Sequence, residues 1–279
     1  VKGAPLIERV YVPIDVWDLA TFDEALLTEL DSERDLLRDY ALTETRQFLE
    51  REAAGGWVPH KSNAYAERRN YFLERVIMPM MEERTLRAWH HTRLTDNETA
   101  LLKSEGIHVS SLETIRRRLD VQVSAGLPTG EQADALYAAS PFRQRGETRS
   151  GKFWMTAYPR ATRGDSGVDL LFQHWGGEGV YFWLEKHPEL VELVKKMGRP
   201  RAIELAVPLR VTRAAYSAAQ SVVATLVRTL GGEPDWADFD LYTMSALGPE
   251  SVLQIHTEGE PDFAALAHGY PAGFINRRT

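Results

Sequence analysis

The chain has 279 residues, 43% of them apolar, and 33 basic against 40 acidic side chains give a formal charge of −7. This is enough apolar chain to bury one large core or two ordinary ones, and the acidic balance excludes a surface that is a polyanion footprint throughout. The absence of cysteine excludes disulfides, a thiol nucleophile and cysteine-ligated metal centres, and is compatible with a reducing cytoplasm, the expected location.

No run of apolar residues is long enough for a membrane span, and no basic-then-apolar leader is visible, so no membrane association is expected. Residues 1–85 read as mostly helical. Thr21 and Glu24 fit a capping box, and Leu26, Leu30, Leu37, Ala41 and Phe48 recur at helical intervals until Gly55-Gly56. A second helical stretch starts near Ser62 and is expected to stop or bend before Pro79. From Leu86 the pattern changes. "LRAWHH" reads as a strand, Thr95 and Glu98 as a capping box, and "NETALLKSEG" as a helix closed by Gly106.

Short helices follow at 112–119 and 130–140, and "KFWMTAY" is a strand inside a loop-rich stretch. Over 141–165 there are 6 basic and 2 acidic residues, among them Arg143, Lys152 and Arg160, so an anionic ligand meets least repulsion there. "GGEGVYFWLE" reads as a glycine turn feeding a strand, and "HPELVELVKKMG" as a helix with Pro188 in its first turn and Gly198 at its end. "RAIELAVPLRV" is a strand and 212–230 a helix; "DLYTMSALG" and "SVLQIHTEG" read as two strands joined by a turn at Gly248-Pro249. Helices clustered between strands that need not be parallel make the class α+β.

Three motif matches fail on context. "GETRSGKF" has Phe153 where a phosphate-binding loop needs Ser or Thr for magnesium, and no buried strand precedes it. "GDSG" at 164–167 lacks the histidine context of a serine protease, and "GEG" at 177–179 leads to an expected strand where a dinucleotide fingerprint needs a helix. No His-Glu-x-x-His occurs, and adjacent strand residues point to opposite faces, so His90 and His91 do not share a metal; one is expected to face inward and the other outward.

"WHHTRLTDNETALLKSEGIHV" resembles the first motif of the diphtheria-toxin and poly(ADP-ribose)-polymerase-like ADP-ribosyltransferases, and "GGEGVYFW" resembles their second. The resemblance covers residues 86–257. It implies a split, antiparallel-rich β-sheet core over 86–279, with an insertion at about 111–165, preceded by a helical N-terminal region, 1–85. It also implies an enzyme that takes NAD as substrate, cleaves the bond between nicotinamide and ribose and passes ADP-ribose to a protein, nucleic-acid or small-molecule acceptor. His90 would hydrogen-bond the ribose, Tyr181 would stack on nicotinamide, and Trp89, Thr92 and Gly179 would support them. Glu250 would steady the developing cation, with Glu258 and Glu260 as rivals. Many bacterial relatives act as toxins or in phage defence.

The sequence departs from the family pattern in three places. His91 follows His90 where relatives have glycine, the gap from His90 to Tyr181 is 91 residues, and "KHPELVELVKKMG" carries no second aromatic. A noncatalytic module binding a partner through residues 21–84 is the alternative, and a nucleotide hydrolase built on Lys152 a third reading.

Overall fold

A computed structural model of the chain describes residues 12–56, 59, 61–143, 150–162, 167–181, 184–235, 237–267 and 272–274. The first half of "GETRSGKF", 146–149, and all but Gly167 of "GDSG" therefore lie outside the described residues, as do Arg145, Arg149 and Arg163.

The N-terminal helices are α1 (Glu24–Ser32), α2 (Arg34–Ala54), α3 (Ala66–Phe72) and α4 (Met78–Glu82). Asp23, and not Thr21, caps α1: its carboxylate accepts from the Leu26 amide at 3.0 Å, whereas the Thr21 hydroxyl donates to the carbonyls of Asp15 and Asp18. A carboxylate both accepts that amide and meets the positive end of the helix dipole. Pro79 does not stop its helix. A π-helical turn, Leu73–Ile77, joins α3 to α4, which puts Pro79 in the first turn of the new α segment, where no amide donor is required.

Five strands follow: β1 (Thr85–Leu94), β2 (Phe153–Thr156), β3 (Arg199–Pro208), β4 (Asp240–Thr243) and β5 (Val252–Thr257). They form one antiparallel sheet in the order β4-β2-β1-β3-β5, so the protein is α+β. β1 and β3 pair along their whole length, from Thr85↔Pro208 to Leu94↔Arg199. By contrast β4 and β5, expected as neighbours across a turn, lie on opposite edges. The chain between them crosses the end of the sheet, where Leu247 exchanges two backbone hydrogen bonds with Ile107.

Between β1 and β2 lie α5 (Asp96–Glu105), α6 (Leu112–Ser124) and α7 (Gly130–Ala139), each opened by a two-way capping box. Between β2 and β3 lie α8 (Asp169–Gln173), α9 (Glu178–Tyr181) and α10 (Pro188–Lys196). "GGEGVY" thus runs into a helical turn and not a strand. The Gly177 carbonyl accepts from the amides of both Val180 and Tyr181, and positive φ at Gly176 and Gly177 (82° and 60°) turns the chain into it. α11 (Ala215–Thr229) and α12 (Pro261–Ala265) complete the described helices.

Alternation along the strands divides the core. Leu86, Ala88, Ile203, Leu205 and Val207 join one cluster with Leu26, Leu37, Leu73 and Met81 of the N-terminal helices and Ala218, Val222 and Leu226 of α11. On the opposite face Ala202 packs with Val168, Phe172 and Phe263. A further cluster gathers α6, α7 and α10 around Trp175. His91 is buried with its ring edge-on to Phe172 at 5.8 Å, while its neighbour His90, on the other face of the strand, is only half-buried. Among the described residues no helix is long and apolar enough to cross a membrane.

Candidate functional site

β1 and β2 share a single registered pair, Trp89↔Thr156, and then part. Where the ladder stops, the His90 ring spans the gap: Nδ1 donates to the Trp154 carbonyl at 2.8 Å, and the imidazole lies 4.3 Å from the Phe153 ring. A cavity of about 460 Å³ opens along this split, within the size range of small-molecule and cofactor sites. One wall is the β1 stretch Trp89–Thr92. The glycine turn Gly176–Gly179, far along the chain, lines the same cavity.

The half-buried His90 has its pKa lowered to about 4, chiefly by burial and further by Arg118, with the Trp154 hydrogen bond opposing. The ring is therefore neutral at pH 7. With its proton on Nδ1 toward a carbonyl, Nε2 carries a lone pair and acts as an acceptor, the arrangement that suits a hydroxyl. His91 is lowered to about 3 by burial and by its neighbours His90 and Arg160.

The opposite wall hangs on a buried carboxylate. Glu98 Oε1 accepts from Arg118 Nε at 2.7 Å, and Oε2 accepts from Trp175 Nε1 at 2.7 Å and from the Thr95 amide at 2.9 Å. Burial opposes ionisation of Glu98, but the Arg118 charge and these hydrogen bonds outweigh it and hold its pKa below the ordinary value. The Arg118 guanidinium lies 4.8 Å over the Trp175 ring. Because Trp175 precedes Gly176, this cluster anchors the start of the glycine turn in the cavity lining. Glycine is required there: a Cβ on Gly176 would sit 2.3 Å from Val180 Cγ2, and one on Gly179 would press the Phe142 ring at 3.3 Å.

Of the residues singled out from sequence, Trp89, His90, Thr92 and Gly179 line this cavity together. Tyr181 is not in its wall; its ring lies 4.9 Å from that of His174, because Glu178–Tyr181 is helical. Glu250 is exposed in the 3-10 turn Pro249–Ser251, its carboxylate folded over Gly248, and it too is absent from the wall. Glu258 and Glu260 follow β5 and are exposed outside the cavity. The acids that do line it are Glu98, Glu105, Glu178 and Asp240; Glu105 pairs with Arg117 at 3.3 Å and Asp240 with Arg160 at 3.4 Å.

Glu98, Arg118 and Trp175 had no functional signature in the sequence. Glu98 reads as a capping-box residue, which it is, and only the packing of α6 and Trp175 over it reveals the second role. Among the described residues no group of three or more His, Asp or Glu side chains could hold a metal ion. No family model, curated protein or solved structure matches the chain.

Proposed function

We propose that the protein is an NAD-dependent ADP-ribosyltransferase and that the cavity at the β1–β2 split is its dinucleotide site. The observation that carries this reading is the meeting of the two motif segments, Trp89–Thr92 and Gly176–Gly179, across one cavity of about 460 Å³. In the reaction the C–N bond to ribose breaks with its electron pair leaving on nicotinamide. An acceptor nucleophile then bonds to the ribose carbon and gives up its proton. The developing oxocarbenium needs held ribose hydroxyls and a nearby negative charge.

His90 Nε2 supplies the acceptor for a ribose hydroxyl, and Thr92 lies two residues along the same wall. Glu178, in the wall at the glycine turn, takes the carboxylate role that the family resemblance assigned to Glu250. Tyr181, packed on His174, steadies that turn. The acceptor is a protein, a nucleic acid or a small molecule, and the basic composition of 141–165 suits a nucleic acid.

Incubation with NAD labelled in the nicotinamide ring tests the reading. Wild type is expected to release nicotinamide, His90→Ala to lose at least about a hundredfold in rate and Glu178→Gln likewise, with Glu250→Gln close to wild type. A fully active His90→Ala would end the proposal. The second reading, a noncatalytic module, draws on the absence of Tyr181 and Glu250 from the cavity wall. It predicts no nicotinamide release, with partner binding sensitive to substitutions within 21–84.

A further inference from the structure

Of the buried side-chain nitrogens and oxygens that find no hydrogen-bond partner among the described residues, three belong to residues of the same cavity: Trp89 Nε1, His91 Nε2 and Arg118 Nη2. Indole Nε1 and guanidinium Nη2 are donors only, so neither is relieved by a change of tautomer. A buried donor left unpaired costs about 1–3 kcal/mol. Two such donors, on residues that line one cavity, suit an occupant rich in acceptor oxygens.

Arg118 is built as a seat for that occupant. Glu98 engages Nε alone, at 2.7 Å, which sets the plane of the guanidinium and leaves Nη2 uncommitted. The Trp175 indole backs the same plane from 4.8 Å and is itself tied to the other oxygen of Glu98. An arginine held along its edge and its face has lost its side-chain freedom before any ligand arrives, so little further ordering is needed on binding. A surface arginine paired for charge alone would have neither brace. Planar presentation of guanidinium N–H groups matches the spacing of phosphate oxygens.

We infer that Arg118, braced by Glu98 and Trp175, is the anion-binding residue of the cavity and takes a diphosphate oxygen pair, with Trp89 Nε1 as a second donor. Naming the anion as the diphosphate of a dinucleotide rests on the reading given under Proposed function; the orphaned donors and the braced guanidinium do not. Arg118 lies on α6, within the insertion at about 111–165, so on this inference the insertion contributes directly to ligand binding.

Isothermal titration of the full chain with inorganic pyrophosphate, and separately with NAD, tests it. Wild type is expected to bind both. Arg118→Gln leaves Glu98 buried without its partner and is liable to misfold, so the deciding variant is Arg118→Lys, which keeps a cation beside Glu98 but lacks the planar fork of N–H groups. With its melting temperature within a few degrees of wild type, Arg118→Lys is expected to bind pyrophosphate and NAD at least about tenfold more weakly, the loss of one charged hydrogen bond. Unchanged pyrophosphate affinity in Arg118→Lys, or no pyrophosphate binding by wild type, overturns the inference. Pyrophosphate binding that depends on Arg118, without any NAD binding, sustains the anion seat and removes the dinucleotide reading.

Discussion

At the scale of single residues, burial sets which groups carry charge, and this has a measurable acid limb. The folded state holds His90 near pKa 4 and His91 near 3, against 6.5 when unfolded, so the unfolded chain takes up protons first as pH falls. Stability from these neutral rings is complete above about pH 6.5 and is lost progressively as pH falls toward 3. A pH series of thermal melts should show this limb, and His91→Phe, which keeps the ring beside Phe172, should flatten it. Glu98 works in the opposite sense, as a carboxylate kept ionised by its partners. Glu98→Gln removes the charge beside Arg118 and should cost about 3 kcal/mol in urea denaturation, near the lower bound for a broken buried pair because Arg118 retains some solvent contact.

At the scale of elements, local chemistry decided most starts and stops, and failures cluster where a neighbour intervened. Thr95 with Glu98, Ser111 with Thr114 and Thr129 with Gln132 open α5, α6 and α7 through contacts within three residues, and such signals are readable in sequence. "GGEGVYFWLE" misleads because its apolar run suits a strand, yet two consecutive glycines with positive φ commit the chain to a helical turn. Gly176→Ala tests that turn: strain at φ +82° together with the contact on Val180 should cost about 1–3 kcal/mol in thermal or urea denaturation. Pairing of β4 and β5 was equally illegible. A Gly-Pro turn between two strand-like segments suggests a hairpin, but docking of Leu247 on Ile107 carries the chain to the far edge.

At the scale of the whole molecule, the helices before β1 share a core with the sheet. Leu26, Leu73 and Met81 lie in one cluster with Leu86, Leu205 and Val222, and three hydrogen bonds stitch the first described segment to distant parts: Trp17 Nε1 to the Ala157 carbonyl, Thr225 Oγ1 to the Val16 carbonyl, and Arg87's amide to the Ile14 carbonyl. A chain beginning at Thr85 is therefore expected to lack cooperative unfolding, measured by circular dichroism on heating. The sheet is closed at its other edge by charge. His256 sits between Glu204, at 3.2 Å, and Asp262, at 3.1 Å, and Arg87 binds the same Glu204 at 2.7 Å. The Glu204 hydrogen bond raises the His256 pKa against the opposing effect of burial, and Asp262 adds to it. This contribution is complete below about pH 6.5 and disappears as pH rises through the raised value, so His256→Gln should reduce stability at pH 6 more than at pH 9.

The sequence by itself determined the α+β class, the strand at 86–91 and the capped helix after it. These rest on contacts within a few residues of one another, where propensity, capping and alternation act. Only the tertiary structure decided which edges β4 and β5 occupy, that Tyr181 and Glu250 stand outside the cavity, and that Glu98, Arg118 and Trp175 hold its wall. Each of those depends on which surfaces bury one another, a property of the assembled sheet and helices to which no local pattern of residues corresponds.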